Sequence, residues 1–229
     1  MVNITKRGMP VRLQEQLDIR PGVTALIGGG GKTTLLLALG HALPGRVILT
    51  TTTHIRPPEE FACLLSPTQA ALREALKSGP VCAGAVSAEG KLGPPELPMA
   101  ALAALADYVI VEADGSKRLP LKAHAAWEPV IPAEANQTIL VLGLSGLGKP
   151  IRESVHRPEL YAERLGVSMD ELVTPELAAA FLKLEHLHTR VLLNQADTPE
   201  RMALGRRLAA LLDCPVAIGA LQKGNLECL

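Results

Sequence analysis

Aromatic residues are scarce in this sequence, at 2%: one Trp, two Tyr and two Phe against an apolar fraction of 48%. A core built on stacked rings is excluded, so the interior must be aliphatic, from Leu, Val, Ile and Ala. A charge excess is also missing, since 23 basic residues meet 23 acidic ones. Nucleic acid wants a basic face, and basic residues also draw a chain to membrane surfaces, so neither partner is expected. Apolar runs are broken by Gly, Asp or Lys well short of the ~20 residues a membrane span needs. The opening MVNITKRGMP carries charge but no apolar segment, and no secretory signal is read there. Four scattered cysteines (Cys63, Cys82, Cys214, Cys228) include no C-x-x-C pair. That pattern gives neither a zinc site nor a disulfide framework, and it fits reduced thiols in the cytoplasm.

What is present centres on Ile27 to Thr34, Ile-Gly-Gly-Gly-Gly-Lys-Thr-Thr. An apolar run (Val23 to Ile27) precedes it and another (Leu35 to Leu39) follows, which predicts strand, glycine turn and helix. Chain without Cβ atoms can wrap a phosphate with its N–H groups, and the helix N-terminus adds free amides and a positive dipole end. Gly28, Gly29, Gly30 and Gly31 are the expected cradle. Lys32 is the cation for the terminal phosphates, and Thr33, followed by Thr34, is the hydroxyl for Mg²⁺. The full pattern G-x-x-x-x-G-K-[ST] would need glycine where Leu26 stands, so the loop is two residues short, as in ATP-binding enzymes of the Mur ligase type. A second stretch, Gly143 to Lys149, satisfies the formal G-x-x-x-x-G-K spacing, but Pro150 replaces the hydroxyl residue and removes an N–H. It is expected to be a surface loop at the same end of the sheet.

Along the chain, a leading helix is expected at 11–19, strands at 46–50, 80–86, 108–111, 138–142, 189–193 and 216–218, and helices at 68–78 and 97–106. Ala88 to Pro95 reads as a turn or hairpin loop, and Gly115 to Ala135 as a long irregular stretch of the kind that carries function. Three further helices begin with Pro158, Pro175 and Pro199, the latter two capped by Thr174 and Thr198. Apolar strands alternating with helices predict an α/β fold: a three-layer α/β/α domain with a mostly parallel sheet, like that of P-loop NTPases. The 229 residues fit one domain. Its subdivisions are a leading helical segment (1–20) and a helical insertion or substrate-side segment (144–188).

All strand ends of one polarity in such a sheet meet at one edge, where ligands bind. Glu112 and Asp114 end one strand and share a side by period two; either can orient Mg²⁺, and either can merely cap the turn. With Lys32 they form the expected catalytic group. Asn194-Gln195-Ala196-Asp197 resembles the N-K-x-D motif that reads guanine; a carboxylate there accepts from N1 and the 2-amino group together. A strand end followed by a helix cap explains the same residues, which leaves GTP and ATP both open, GTP slightly ahead. Thr52, Thr53 and His54 are candidates for a substrate anion or phosphate, as are Lys117, Arg118, Lys122 and Arg157. Ordinary strand threonines and a solvated basic loop are the plain alternatives.

The segments G-G-G-G-K-T-T, T-T-T-T-H-I (50–55), V-E-A-D-G-S-K-R-L-P-L-K (111–122), V-L-G-L (141–144), H-R-P-E (156–159) and L-L-N-Q-A-D (192–197) together resemble the YqeC family. Gln195 departs from the lysine the family usually carries there. Members are described as accessory proteins of selenium-dependent molybdenum hydroxylases. The resemblance therefore implies a role in maturing such an enzyme, with the hydroxylase or its cofactor-assembly proteins as partners and a homodimer as an open state. Three activities remain: a Mg²⁺-dependent NTPase, a small-molecule kinase, or a nucleotide-gated binding module with negligible turnover.

Overall fold

In the computed structural model, which describes residues 9–87 and 90–229, helix α1 (Met9–Gln16) leads into an alternating chain. Strand β1 (Gly22–Gly28) runs through the glycine loop into α2 (Lys32–Ala42). Next come β2 (Val47–Thr51), β3 (Ala62–Leu65), α3 (Gln69–Ala75), β4 (Val81–Val86), β5 (Leu92–Gly93), α4 (Met99–Leu105) and β6 (Tyr108–Glu112). The second half holds β7 (Leu121–Lys122), β8 (Ala135–Gly143), α5 (Ile151–Ser154), β9 (Val155–His156), α6 (Pro158–Leu165) and α7 (Pro175–Glu185). It closes with β10 (Arg190–Asn194), α8 (Pro199–Ala209), β11 (Val216–Ala220) and β12 (Asn225–Cys228).

The main sheet has the order β12-β11-β10-β8-β1-β6-β2-β4-β3, with β5 paired to β4. Pairing is parallel except at β11–β12 and β4–β5. From β1 the chain builds outward on one side to β3 at the edge, returns through β4 and β6, and then builds the other side through β8, β10 and β11. The direction of winding reverses at β1, and the carboxyl end of a strand at such a reversal is where open α/β sheets bind ligands.

Alternation along β1 divides the two faces. Leu26 joins Leu35, Leu36 and Leu39 of α2 and Leu13 and Leu17 of the leading segment. Ala25 and Ile27 join the opposite core, with Leu140, Leu142, Tyr161 and Phe181. Helices α3 and α4 extend that second face under β2, β4 and β6 through Leu72, Leu102 and Leu105. The result is a three-layer α/β/α arrangement with a mostly parallel sheet, as the alternation predicts. The 144–188 segment packs its α6 and α7 into the second layer; Tyr161 and Phe181 stack at 3.9 Å, and burying each is worth about 1.5–3 kcal/mol.

Several boundaries differ from expectation. The leading helix occupies Met9–Gln16 rather than 11–19, and residues 1–8 of the leading segment lie outside those described. Strand β3 falls where no strand is expected, because its residues are half exposed and give no clean apolar pattern. Strand β12 is an antiparallel edge strand with the same mixed exposure. The hairpin over 88–95 is present as β4–β5, with residues 88 and 89 outside the description. The stretch 115–135 contains only the two-residue β7 before β8 begins at its last residue, Ala135. All three proline-led helices begin at their prolines, with Thr174 and Thr198 accepting from Leu177 N and Arg201 N.

Candidate functional site

The loop after β1 is held from several sides. Gly28 N–H donates to Asp114 Oδ2 at 2.8 Å, and Gly29 and Gly30 N–H donate to Val141 O and Leu119 O at 2.8 and 3.1 Å. A Cβ on Gly30 would stand 2.3 Å from Gly143 N, and one on Gly29 2.6 Å from Leu119 O. The glycines are thus required by how closely β8 and the 119–120 segment approach. This is a correction to a cradle formed by the whole run, since three of its amides are already committed to protein acceptors. The open side is the start of α2. Its N-cap, Gly31, offers no side chain, and among the described residues no acceptor takes the N–H of Gly31, Lys32 or Thr33. Those are the orphan donors that suit an anion.

Lys32 is buried, with 4% exposure. Its ammonium donates to Gly28 O at 2.6 Å and lies 2.9 Å from Asp114 Oδ1 and 3.8 Å from Glu112 Oε1. Thr33 Oγ1 donates to Glu112 Oε2 at 2.9 Å. The two carboxylates have different surroundings. Burial pushes Glu112 above its ordinary value, more than Lys32 and Thr33 pull it down. Asp114 is also buried, but the hydrogen bond from His124 and the charges of Lys32 and Lys122 outweigh that and hold it well below the carboxylate range. Glu112 is the under-compensated carboxylate next to the hydroxyl. Asp114 is the anchor of a charge network beneath the loop.

Of that network, Asp114 and Lys122 are candidates in the sequence, whereas His124, Glu128 and Glu185 are not. His124 Nε2 is 2.7 Å from Asp114 Oδ2, and its Nδ1 is 2.7 Å from Glu185 Oε2. A neutral imidazole has one N–H, so two carboxylate partners make this an imidazolium. Burial opposes the charge, yet the two carboxylates raise the pKa above its ordinary value. Glu185, at the end of α7, also binds His124 N–H at 2.8 Å and Arg164 at 2.7 Å. Lys122 lies fully buried, donating to Gly115 O at 2.5 Å, with Asp114 and Glu128 at 3.5 and 3.0 Å. Extended alternation would put Lys122 and His124 on one side of the chain, the one sequence signal for His124; Glu185 has none.

The remaining candidates divide. Hydroxyls of Thr50, Thr51 and Thr52 donate to Ala83 O, Glu112 O and Val130 O, each at 2.7 Å. The threonine run thus ties β2 to its neighbours, and Thr52 is spent on structure. Thr53 faces Thr51 at 3.3 Å, while His54 is exposed. Asn194 is buried, donating to Gly30 O at 2.8 Å and accepting from Leu221 N at 3.0 Å, so it fastens the glycine loop to the turn after β11. Asp197 sits half open at the rim, with Arg201 at 3.4 Å and Lys223 at 3.9 Å; the helix cap there is Thr198. Lys117 and Arg118 are exposed, and Arg157 pairs with Glu128. The second glycine–lysine stretch is a 3-10 turn (Leu144–Gly146) whose Leu144, Gly146 and Leu147 are buried. Only its Gly148–Lys149 tip is a surface loop.

Among the described residues no group of three His, Cys, Asp or Glu is arranged to hold a metal. Thr33 Oγ1 and Glu112 are the oxygen groups here that could face a Mg²⁺ ion, whose other ligands would have to come from phosphate and water. No described helix is long and apolar enough to cross a membrane.

A family model described as "YqeC protein" matches residues 24–159. The chain is 34% identical over 162 residues to "Uncharacterized protein YqeC" of Escherichia coli (strain K12), over 66% of this chain and 63% of that protein. It spans less than two thirds of the length of that curated relative. The matched region runs from β1 past the start of α6 and takes in the glycine loop, both carboxylates and the Lys122–His124 segment, and on this footing the chain belongs to the YqeC family.

Proposed function

We propose that this protein is a cytoplasmic, Mg²⁺-dependent NTPase that binds its nucleotide at the end of β1 and assists the maturation of a selenium-dependent molybdenum hydroxylase. The observation that carries the nucleotide reading is the Thr33 Oγ1–Glu112 Oε2 contact of 2.9 Å. It stands beside the buried Lys32 ammonium, at a helix start whose amides lack partners. The hydroxylase role comes from the family resemblance alone.

Bound phosphate would accept from the N–H groups of Gly31, Lys32 and Thr33 and draw the Lys32 ammonium off Gly28 O. Thr33 and Glu112 would hold Mg²⁺, which when bound neutralises the charge of the transferring phosphoryl group. Asp114 stays with His124 and Lys122 and keeps the loop in shape through Gly28 N–H. Catalysis on this account is positioning and charge neutralisation, with no covalent enzyme intermediate. Asp197 is assigned to the base and favours guanine over adenine, because its carboxylate can accept from two guanine donors at once.

The test is hydrolysis of GTP and ATP with and without Mg²⁺. Glu112→Gln is expected to lower kcat by about a hundredfold. Asp197→Ala is expected to erase the GTP preference while leaving ATP turnover in place. Turnover indifferent to Glu112→Gln would remove the metal assignment.

A further inference from the structure

Beside the phosphate loop the surface opens into a cleft of about 630 Å³, lined by Lys117, Glu128, Arg152, His156, Arg157 and Glu159 among others. That volume falls in the range of sites that bind small molecules. The cleft and the loop share a wall. Leu119 lines the cleft, and its carbonyl accepts from Gly30 N–H at 3.1 Å. Gly115, which follows Asp114, lines it too.

The charge in this cleft is arranged toward a ligand. Glu128 is already neutralised from both sides, by Lys122 at 3.0 Å and by Arg157. Lys117 has no carboxylate within ion-pair distance among the described residues and stays exposed to the opening. His156 leaves its Nδ1 buried without a partner, and burial, followed by the charges of Lys122 and Arg157, lowers its pKa below the ordinary value.

The backbone adds an independent sign. Lys117, Arg118 and Arg157 have φ of 49°, 65° and 65°, a left-handed conformation rarely taken by residues other than glycine, and one that concentrates at ligand sites. Three basic residues held this way, two of them in the cleft wall, present cations where an ordinary turn would use glycine.

We propose that this cleft binds a second small molecule bearing a phosphate or carboxylate group, held by Lys117 and Arg157 next to the nucleotide. Arg157 leaves Glu128 for the anion, and Lys122 remains to balance Glu128. Anion binding here does not depend on the nucleotide reading; the ligand's place next to a nucleotide does rest on it.

The single tryptophan makes the test direct. Trp127 is 73% exposed, adjoins Glu128 and carries the Arg157 guanidinium 5.6 Å from its ring centroid. The full chain is titrated with sodium phosphate and with sodium citrate, against sodium chloride at matched ionic strength, with and without saturating Mg·GTP, following tryptophan fluorescence. Expected is a saturable change with phosphate or citrate, retained with nucleotide present and absent with chloride. Lys117→Glu, at an exposed position, should weaken it about tenfold or more without lowering Tm. No saturable change beyond that of chloride, complete competition by nucleotide, or an unchanged affinity in Lys117→Glu would each overturn the proposal. A saturable citrate response in protein that binds no nucleotide would keep the cleft and reject the nucleotide reading instead.

Discussion

The loops after β1 and β8 both run from glycine to lysine, at the same ends of neighbouring strands, yet their lysines meet opposite fates. Lys32 is buried between two carboxylates and opens an eleven-residue helix. Lys149 is exposed, and the chain beyond it passes Pro150 into the four-residue α5. The difference lies in what each loop packs against. The β1 loop is backed by Asp114, with His124 and Glu185 behind it, so a cation placed there is compensated. The β8 loop turns its apolar residues inward against the 120–121 segment, where a Cβ on Gly146 would stand 2.0 Å from Leu121. Spacing of glycine and lysine does not make a phosphate site. The β1 loop differs in its free helix start over a balanced charge, the features on which the proposed site rests.

Removing the backing should have the largest effect. His124→Ala removes the cation between Asp114 and Glu185, leaving Asp114 to Lys32 and Lys122 and Glu185 to Arg164, and breaking a buried pair costs about 3–5 kcal/mol; chemical denaturation measures it. The sign with pH follows from the raised pKa of His124. Its stabilisation is fully present below the unfolded value of about 6.5 and is lost as pH rises through the higher folded value. The depressed pKa of Asp114 works the other way: its stabilisation is present above about pH 3.9 and is lost as pH falls toward the folded value. Thermal melts of the wild type should therefore fall on the alkaline side of about pH 6.5, and His124→Gln should flatten that fall. An unchanged alkaline slope in His124→Gln would mean the ring is neutral.

A smaller effect separates the loops themselves. Gly30→Ala drives a Cβ into Gly143 N at 2.3 Å from a backbone with φ of 77°, and should cost about 3 kcal/mol. Gly148→Ala, with φ of 76° but nothing within 4 Å, should cost only the left-handed penalty of about 1–2 kcal/mol. Equal losses in denaturant midpoint would erase the packing contrast on which the two assignments rest.

Much of this was legible in the sequence. Apolar alternation gave the parallel sheet, prolines and threonines marked helix starts at 158, 175 and 199, and the strand ends gathered Lys32, Glu112 and Asp114 at one edge. Strands β3 and β12 were not, because edge strands lose the apolar pattern of a doubly covered sheet. The roles of Asp114 and Asn194 were hidden for another reason. Each depends on partners far away in the chain: His124 bridges to Glu185 across 61 positions, and Asn194 reaches Gly30 across 164. Thr50, Thr51 and Thr52 of the threonine run each spend their hydroxyl on a carbonyl of a neighbouring segment, since a hydroxyl beside an open carbonyl is used locally.

The central claim is that Lys32, and not Lys149, faces a nucleotide. Calorimetric titration of Mg·GTP and Mg·ATP into the wild type, Lys32→Ala and Lys149→Ala tests it directly. The account predicts affinity weakened at least about a hundredfold in Lys32→Ala, the loss of two or so charge-assisted contacts, and wild-type affinity in Lys149→Ala. Wild-type affinity in Lys32→Ala, or a loss confined to Lys149→Ala, would contradict it.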